Sequence, residues 1–263
     1  MKASKLVVAK AGTNFLCPES SGLEFGKSNI FEDMALQTKQ LFRDKIPVVW
    51  VSSGAVGFGR KRYRQLGNEF LPNEKREAAG FGARHLLNAW GNAFESYGMD
   101  IAQIWVTYEP SGVILNAGDI KEMIIFYVGH GIVPIINYND VVSGKELELG
   151  DNDHLAVEIG NLVNADSLLF LTEKGGVYSL DSAGSLHKRY CEVDAKNLPT
   201  CVSEISFGGN GGMHSKLEKA ACFYANGIRC VSIANFDIEN VLIRFAHGES
   251  VGTMIGTSNI LYT

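Results

Sequence analysis

A three-layer α/β fold, with helices on both sides of a mainly parallel open sheet, is predicted by two features of the chain. Short apolar runs rich in β-branched residues recur along it, and amphipathic stretches of helical period separate them. Strands covered on both faces read as continuous apolar runs, and parallel pairing needs a crossover that a helix supplies. With 46% of the 263 residues apolar, the chain can bury one large core.

The expected strands are residues 6–9, 48–51, 101–106, 132–136, 168–171 and 230–234, each bounded by Gly, Asn or Asp or by a polar turn. Expected helices lie over 29–43, 84–97, 120–129, 152–163 and 215–226, where apolar residues recur every three or four positions. Residues 17–27, 67–73, 143–150 and 180–200 read as loops or hairpins. Within them the alternation Lys145-Glu146-Leu147-Glu148-Leu149 resembles a short hairpin strand beside a polar cluster, the form of a lid. Ligands of such a sheet are expected at the carboxyl ends of its strands.

A net charge of -5 with no run of like charge at either end speaks against a nucleic-acid or membrane partner and for small-molecule chemistry. Five scattered cysteines, with no Cys-x-x-Cys pair, read as reduced thiols. No stretch approaches the roughly 20 apolar residues that cross a bilayer, and residues 6–9 are too few for a signal core. A cytoplasmic protein is expected.

Polar residues gather at the strand ends. After the first strand, Lys10-Ala11-Gly12-Thr13-Asn14 supplies a point charge and a glycine beside which backbone N–H groups can approach an anion. Ser52-Ser53-Gly54 ends the second strand and opens a helix, to receive a carboxylate or phosphate or simply to cap that helix. Asn137-Tyr138-Asn139-Asp140 and Gly150-Asp151-Asn152-Asp153 can converge on one pocket able to hold an ammonium group and orient lysines; the alternative is a pair of Asx turns with an N-cap. Thr172-Glu173-Lys174-Gly175-Gly176 can meet a base or ribose, or be only a turn. The segment Gly208-Gly209-Asn210-Gly211-Gly212-Met213-His214-Ser215-Lys216 is a glycine loop feeding a helix with a lysine in its first turn, where Lys216 can follow a phosphate during transfer. Residues 21–28 approach a P-loop but lack its first glycine and preceding strand, Gly80-Phe81-Gly82 lacks the third glycine of a dinucleotide fingerprint, and the six histidines show no zinc-ligand spacing.

Taken in order, Lys10-Ala11-Gly12-Thr13, Ser53-Gly54-Ala55, Ile136-Asn137-x-Asn139-Asp140, Gly150-Asp151-Asn152-Asp153, Gly176-Val177-Tyr178, Gly211-Gly212-Met213-x-x-Lys216-Leu217 and Val251-Gly252-Thr253 resemble the amino-acid kinase family over nearly the whole chain. The resemblance implies one kinase domain over 1–263, with an amino-acid-binding lobe over 1–165, a nucleotide-binding lobe over 166–263 and no C-terminal PUA domain. It implies ATP as donor, magnesium with it, and the side-chain carboxylate of L-glutamate as leading acceptor, in the first step of proline synthesis. Catalytic roles fall to Lys10, Lys216 and Asp153. Substrate contacts fall to Ser53, Asp140, Asn152, Asn137 and Asp151, and ATP contacts to Lys10, Gly12, Thr172, Glu173, Asn210, Gly211, Gly212, Met213, His214, Ser215 and Lys216. No protein ligand for the metal is assigned. Feedback inhibition by proline and a homodimer or homotetramer are implied by the same analogy. Asn14, Ala83 and Glu173 stand where the family pattern has Ser, Gln and Asp. Another acceptor (a different amino acid, carbamate or a phosphorylated small molecule) and a silent ligand sensor are the alternatives.

Overall fold

The computed structural model describes residues 5–17, 28–142, 152–173, 175–181, 183, 185–199, 213–227, 230–257 and 260–261. Strands β1 (Val7–Ala11), β2 (Val48–Ser52), β3 (Ile101–Val106), β4 (Val133–Tyr138), β5 (Ser167–Leu171), β6 (Tyr178–Leu180), β7 (Leu186–Asp194), β8 (Cys230–Ala234), β9 (Thr253–Gly256) and β10 (Ile260–Leu261) join in one sheet. Its order is β10-β7-β9-β8-β5-β1-β2-β4-β3, with β6 paired to β7 off this path. The central run from β8 to β3 is parallel throughout, whereas β9 on β8, β10 on β7 and β6 on β7 are antiparallel.

Alternate residues of each central strand feed two separate cores. Val7, Ala9, Trp50, Ile135 and Leu169 pack under helices α2 (Ser28–Arg43), α3 (Ala55–Gln65), α4 (Lys75–Glu95) and α8 (Val241–Ala246). On the other face Val8, Val49, Val51, Ile136, Leu168 and Phe170 pack under α5 (Ala117–Gly129), α6 (Asn152–Leu162) and α7 (Met213–Ala225). A one-turn helix α1 (Thr13–Leu16) follows β1 directly. The expected three-layer arrangement is thus present, because residues of period two send side chains to both faces of a covered sheet.

Two local readings are corrected. Residues 101–106 were expected to be buried on both faces, yet β3 is the edge of the sheet and Trp105 is 44% exposed. The helix expected from residue 84 begins at Lys75, taking Gly80 and Gly82 into its interior. Residues 180–200, expected as loops or hairpins, take part in the β6–β7 hairpin, and the long strand β7 also pairs with β9 and β10 far along the chain. The lid-like alternation at 145–149 lies outside the described residues.

Gly82 sits inside α4 for a packing reason. A Cβ there would lie 2.0 Å from Ala55 O and 2.4 Å from Gly59 N, and a Cβ on Gly59 would meet Ala78 O at 1.8 Å. Backbone therefore touches backbone where α3 crosses α4, and neither side can yield as a side chain would. Gly82→Ala is expected to cost about 1–3 kcal/mol by prying the helices apart. Gly118→Ala, in open space on α5, is expected to lose nothing and to gain up to about 1 kcal/mol of helix propensity. Urea midpoints of the two variants test this; equal midpoints would refute the close crossing.

Candidate active site

Lys10 lies on β1 on the same face as Val8, pointing toward α6 and α7. Its Nζ is 2.8 Å from Asp153 Oδ1, and Lys216 Nζ donates to Asp153 Oδ2. Asp153 occupies the first turn of α6 and Lys216 the first turn of α7, so two helix N-termini meet above the end of β1. All three side chains are buried, with Lys10 6%, Asp153 2% and Lys216 8% exposed. Two cations around one anion leave a net positive charge in a poorly solvated place, a strong attraction for a phosphate.

Burial by itself would raise the Asp153 carboxyl, but the Lys10 and Lys216 ammonium groups outweigh it and hold the group well below the usual carboxylate range. The spacing of α6 from α7 rests on Gly160, where a Cβ would lie 2.5 Å from the Phe223 ring. Any larger residue there would move Asp153 relative to Lys216. A Cβ on Gly12 would sit 3.5 Å from Lys10 Nζ, so glycine keeps that side of the ammonium open.

A second group lies one residue away. Asn152 Nδ2 donates to Ser53 Oγ at 2.9 Å, to Ser52 O at 3.2 Å and to Asn137 Oδ1 at 3.2 Å. With its amide nitrogen so engaged, Asn152 Oδ1 is buried without a hydrogen-bond donor among the described residues. A buried acceptor of this kind suits a donor carried by a ligand, such as an ammonium group. Gly54, at φ 110°, lets the chain turn from Ser53 into α3, a backbone conformation that favours glycine. Ser52 Oγ accepts from Trp90 Nε1 at 2.9 Å and donates to Ser53 O at 3.0 Å, fixing the turn from behind.

Asp140 follows β4, and burial pushes its carboxyl up to about 6. Arg76, on the first turn of α4, donates to Val141 O at 2.6 Å and steadies this loop. Across the sheet, Thr172 follows β5: its N–H donates to Ala234 O at 2.9 Å and its Oγ1 accepts from Gly175 N at 3.1 Å. Glu173 O accepts from Asn235 Nδ2 at 3.1 Å. Met213, His214 and Ser215 open α7 just before Lys216, with His214 near Glu218. The structure thus brings Lys10, Asp153 and Lys216 into contact, and likewise Ser53, Asn137 and Asn152. Asp151, Asn210, Gly211 and Gly212 lie outside the described residues. Trp90, Arg76 and Phe170 escaped the sequence reading because each reads there as ordinary core or surface.

A parallel sheet with one lysine on β1 and another at the start of α7, bridged by a carboxylate, defines the class: the chain belongs to the amino acid kinase family, whose model matches residues 5–235. Within that family it is 32% identical to the glutamate 5-kinase of Methanosarcina mazei, over 94% of this chain and 67% of that protein. It is also 32% identical to the glutamate 5-kinase of Nitrosomonas eutropha, over 97% of this chain and 68% of the relative. The chain therefore spans about two thirds of the length of these relatives. In structure it resembles the UMP kinase of Bacillus anthracis, with a TM-score of 0.66 at 17% identity over 98% and 99% of the two chains. It also resembles an isopentenyl phosphate kinase, with a TM-score of 0.63 at 16% identity over 96% and 100%. These two share the fold. Among the described residues no helix is long and apolar enough to cross a membrane.

Proposed function

We propose that the protein transfers the γ-phosphoryl group of ATP to the side-chain carboxylate of L-glutamate, giving an acyl phosphate for proline synthesis. The observation that carries this reading is the adjacency of the Lys10–Asp153–Lys216 trio to Asn152, whose buried Oδ1 has no donor among the described residues. Glutamate's ammonium group suits that oxygen and the Asp140 carboxylate. The identity to glutamate 5-kinases supports the choice of acceptor. In this reading residues 1–165 hold the amino acid and 166–263 the nucleotide.

A glutamate side chain is already ionised at neutral pH, so no base is needed. One carboxylate oxygen attacks the γ-phosphorus in line, the bond to the β,γ-bridging oxygen breaks, and ADP leaves with the electron pair. Lys10 and Lys216 neutralise charge on the transferring group while Asp153 keeps both aimed. Among the described residues no cluster of His, Cys, Asp or Glu could hold a metal, and both oxygens of Asp153 engage lysines. The described residues thus offer magnesium no ligand set; the ion fits better as a companion of the nucleotide's own phosphates. A phosphorylated acceptor is less favoured: Arg60 is turned to Pro72 O at 3.0 Å and Lys61 is buried, both beyond the first turn of α3.

The test is ADP release from Mg-ATP with a panel of acceptors led by glutamate, with hydroxylamine trapping any acyl phosphate. Glutamate-dependent hydroxamate is expected; turnover with a different acceptor alone would discard glutamate. Proline added to the same assay checks feedback inhibition, and light scattering checks the dimer or tetramer implied by the family.

The Asp140 carboxyl yields a pH prediction. Above about 6 it is ionised and can hold an ammonium group; below that value it takes a proton and cannot. The KM for glutamate is expected to rise about tenfold per pH unit below 6, while the KM for ATP stays level. Asp140→Asn should show a high KM at every pH; a variant keeping the acid limb would assign that limb elsewhere.

A further inference from the structure

We propose that Phe170 is a positioning residue for phosphoryl transfer, its ring face steadying the Lys216 ammonium group. Lys216 Nζ stands 5.4 Å from the centroid of the Phe170 ring, within the range at which a cation is drawn to an aromatic face. Phe170 is fully buried on β5 and is the register partner of Lys10 on β1, so both side chains rise from neighbouring positions on one face of the sheet. The ring is therefore part of the floor beneath the lysine–carboxylate–lysine trio.

Packing alone does not demand an aromatic residue there. The rest of the strand is Ser167-Leu168-Leu169-x-Leu171, and a leucine at 170 would also cover the core. What the ring adds is an attraction that has no fixed direction. Asp153 holds Lys216 by a directed hydrogen bond, whereas an aromatic face lets the ammonium slide without losing its hold. A lysine that must follow charge from leaving oxygen to attacking oxygen needs both. The ring also keeps water from the underside of the ammonium, which strengthens its pull on the phosphoryl group.

This inference rests on the kinase reading, and its test is built so that the two fail separately. Phenylalanine at position 170 is replaced by its mono-, di- and trifluorinated analogues, which keep its shape while draining the negative face of the ring. A stepwise fall in kcat to about one tenth is expected, with both KM values and the urea midpoint unchanged. A purely structural Phe170 would give a flat kcat across the series, and that result overturns the proposal. The series is read with whichever acceptor is turned over, or on slow hydrolysis of bound ATP if none is, so loss of glutamate as acceptor leaves it decisive. NMR of ε-13C-lysine protein gives a reading independent of turnover. The Lys216 signal, assigned with Lys216→Ala, should be shifted upfield by the ring and return in Phe170→Leu; an unshifted signal also overturns the proposal.

Discussion

Asp153→Asn is expected to lower kcat by about 10³-fold, and to destabilise the protein by about 3–5 kcal/mol at neutral pH. The side chain keeps its size, so packing is spared and only the charge is lost. Lys10 and Lys216 would then face each other across a neutral amide in a buried site. One lysine must lose its proton or swing away, and either outcome removes a charge that the transferring phosphoryl group needs. Acid unfolding gives a second readout. The folded carboxyl of Asp153 lies below the unfolded value of about 3.9, so its contribution is present above that pH and is lost as pH falls toward the folded value. The wild type should therefore shed stability below about pH 4 faster than Asp153→Asn does. Parallel acid curves, or a kcat within a few-fold of wild type, would mean that the trio is not the centre of the site.

Lys216→Ala should leave the fold nearly intact yet reduce kcat by about 10²–10³-fold, because Asp153 still keeps Lys10 at 2.8 Å. The two KM values should move little, since the charge matters most while the phosphoryl group is in flight. Lys216→Arg is expected to recover only a small part of the loss: a planar guanidinium cannot occupy the space of a compact ammonium between Asp153 and the Phe170 ring. Rapid-quench measurement of one turnover separates the chemical step from product release. A Lys216→Ala protein with unchanged single-turnover rate would place this residue outside the transfer step.

Much of this arrangement was legible in the sequence. Six apolar runs became β1, β2, β3, β4, β5 and β8 to within a few residues, and for all but the edge strand β3 the reason is that a strand covered on both faces must be apolar throughout. The strand-end positions of Lys10, Ser53 and Asn137 followed from the same reading, as did Asn152, Asp153 and Lys216 at helix starts. The edge position of β3 was not legible, since a covered strand and an edge strand can carry the same apolar run. Nor was the long β7, whose pairing with β9 and β10 joins residues more than sixty positions apart.

The sequence by itself thus determined, to within a few residues, where β1, β2 and β4 end and where α6 and α7 open, since local period and backbone chemistry act over a few neighbouring positions. Only the tertiary structure decided that Asp153 bridges Lys10 and Lys216, that Asn152 Oδ1 is buried without a donor among the described residues, and that Phe170 lies under an ammonium. The physical reason is distance along the chain. Lys10, Asp153 and Lys216 come from three elements, and what brings them together is the packing of α6 against β1 and against α7, the latter through the close contact of Gly160 with Phe223, neither of which has any local signature.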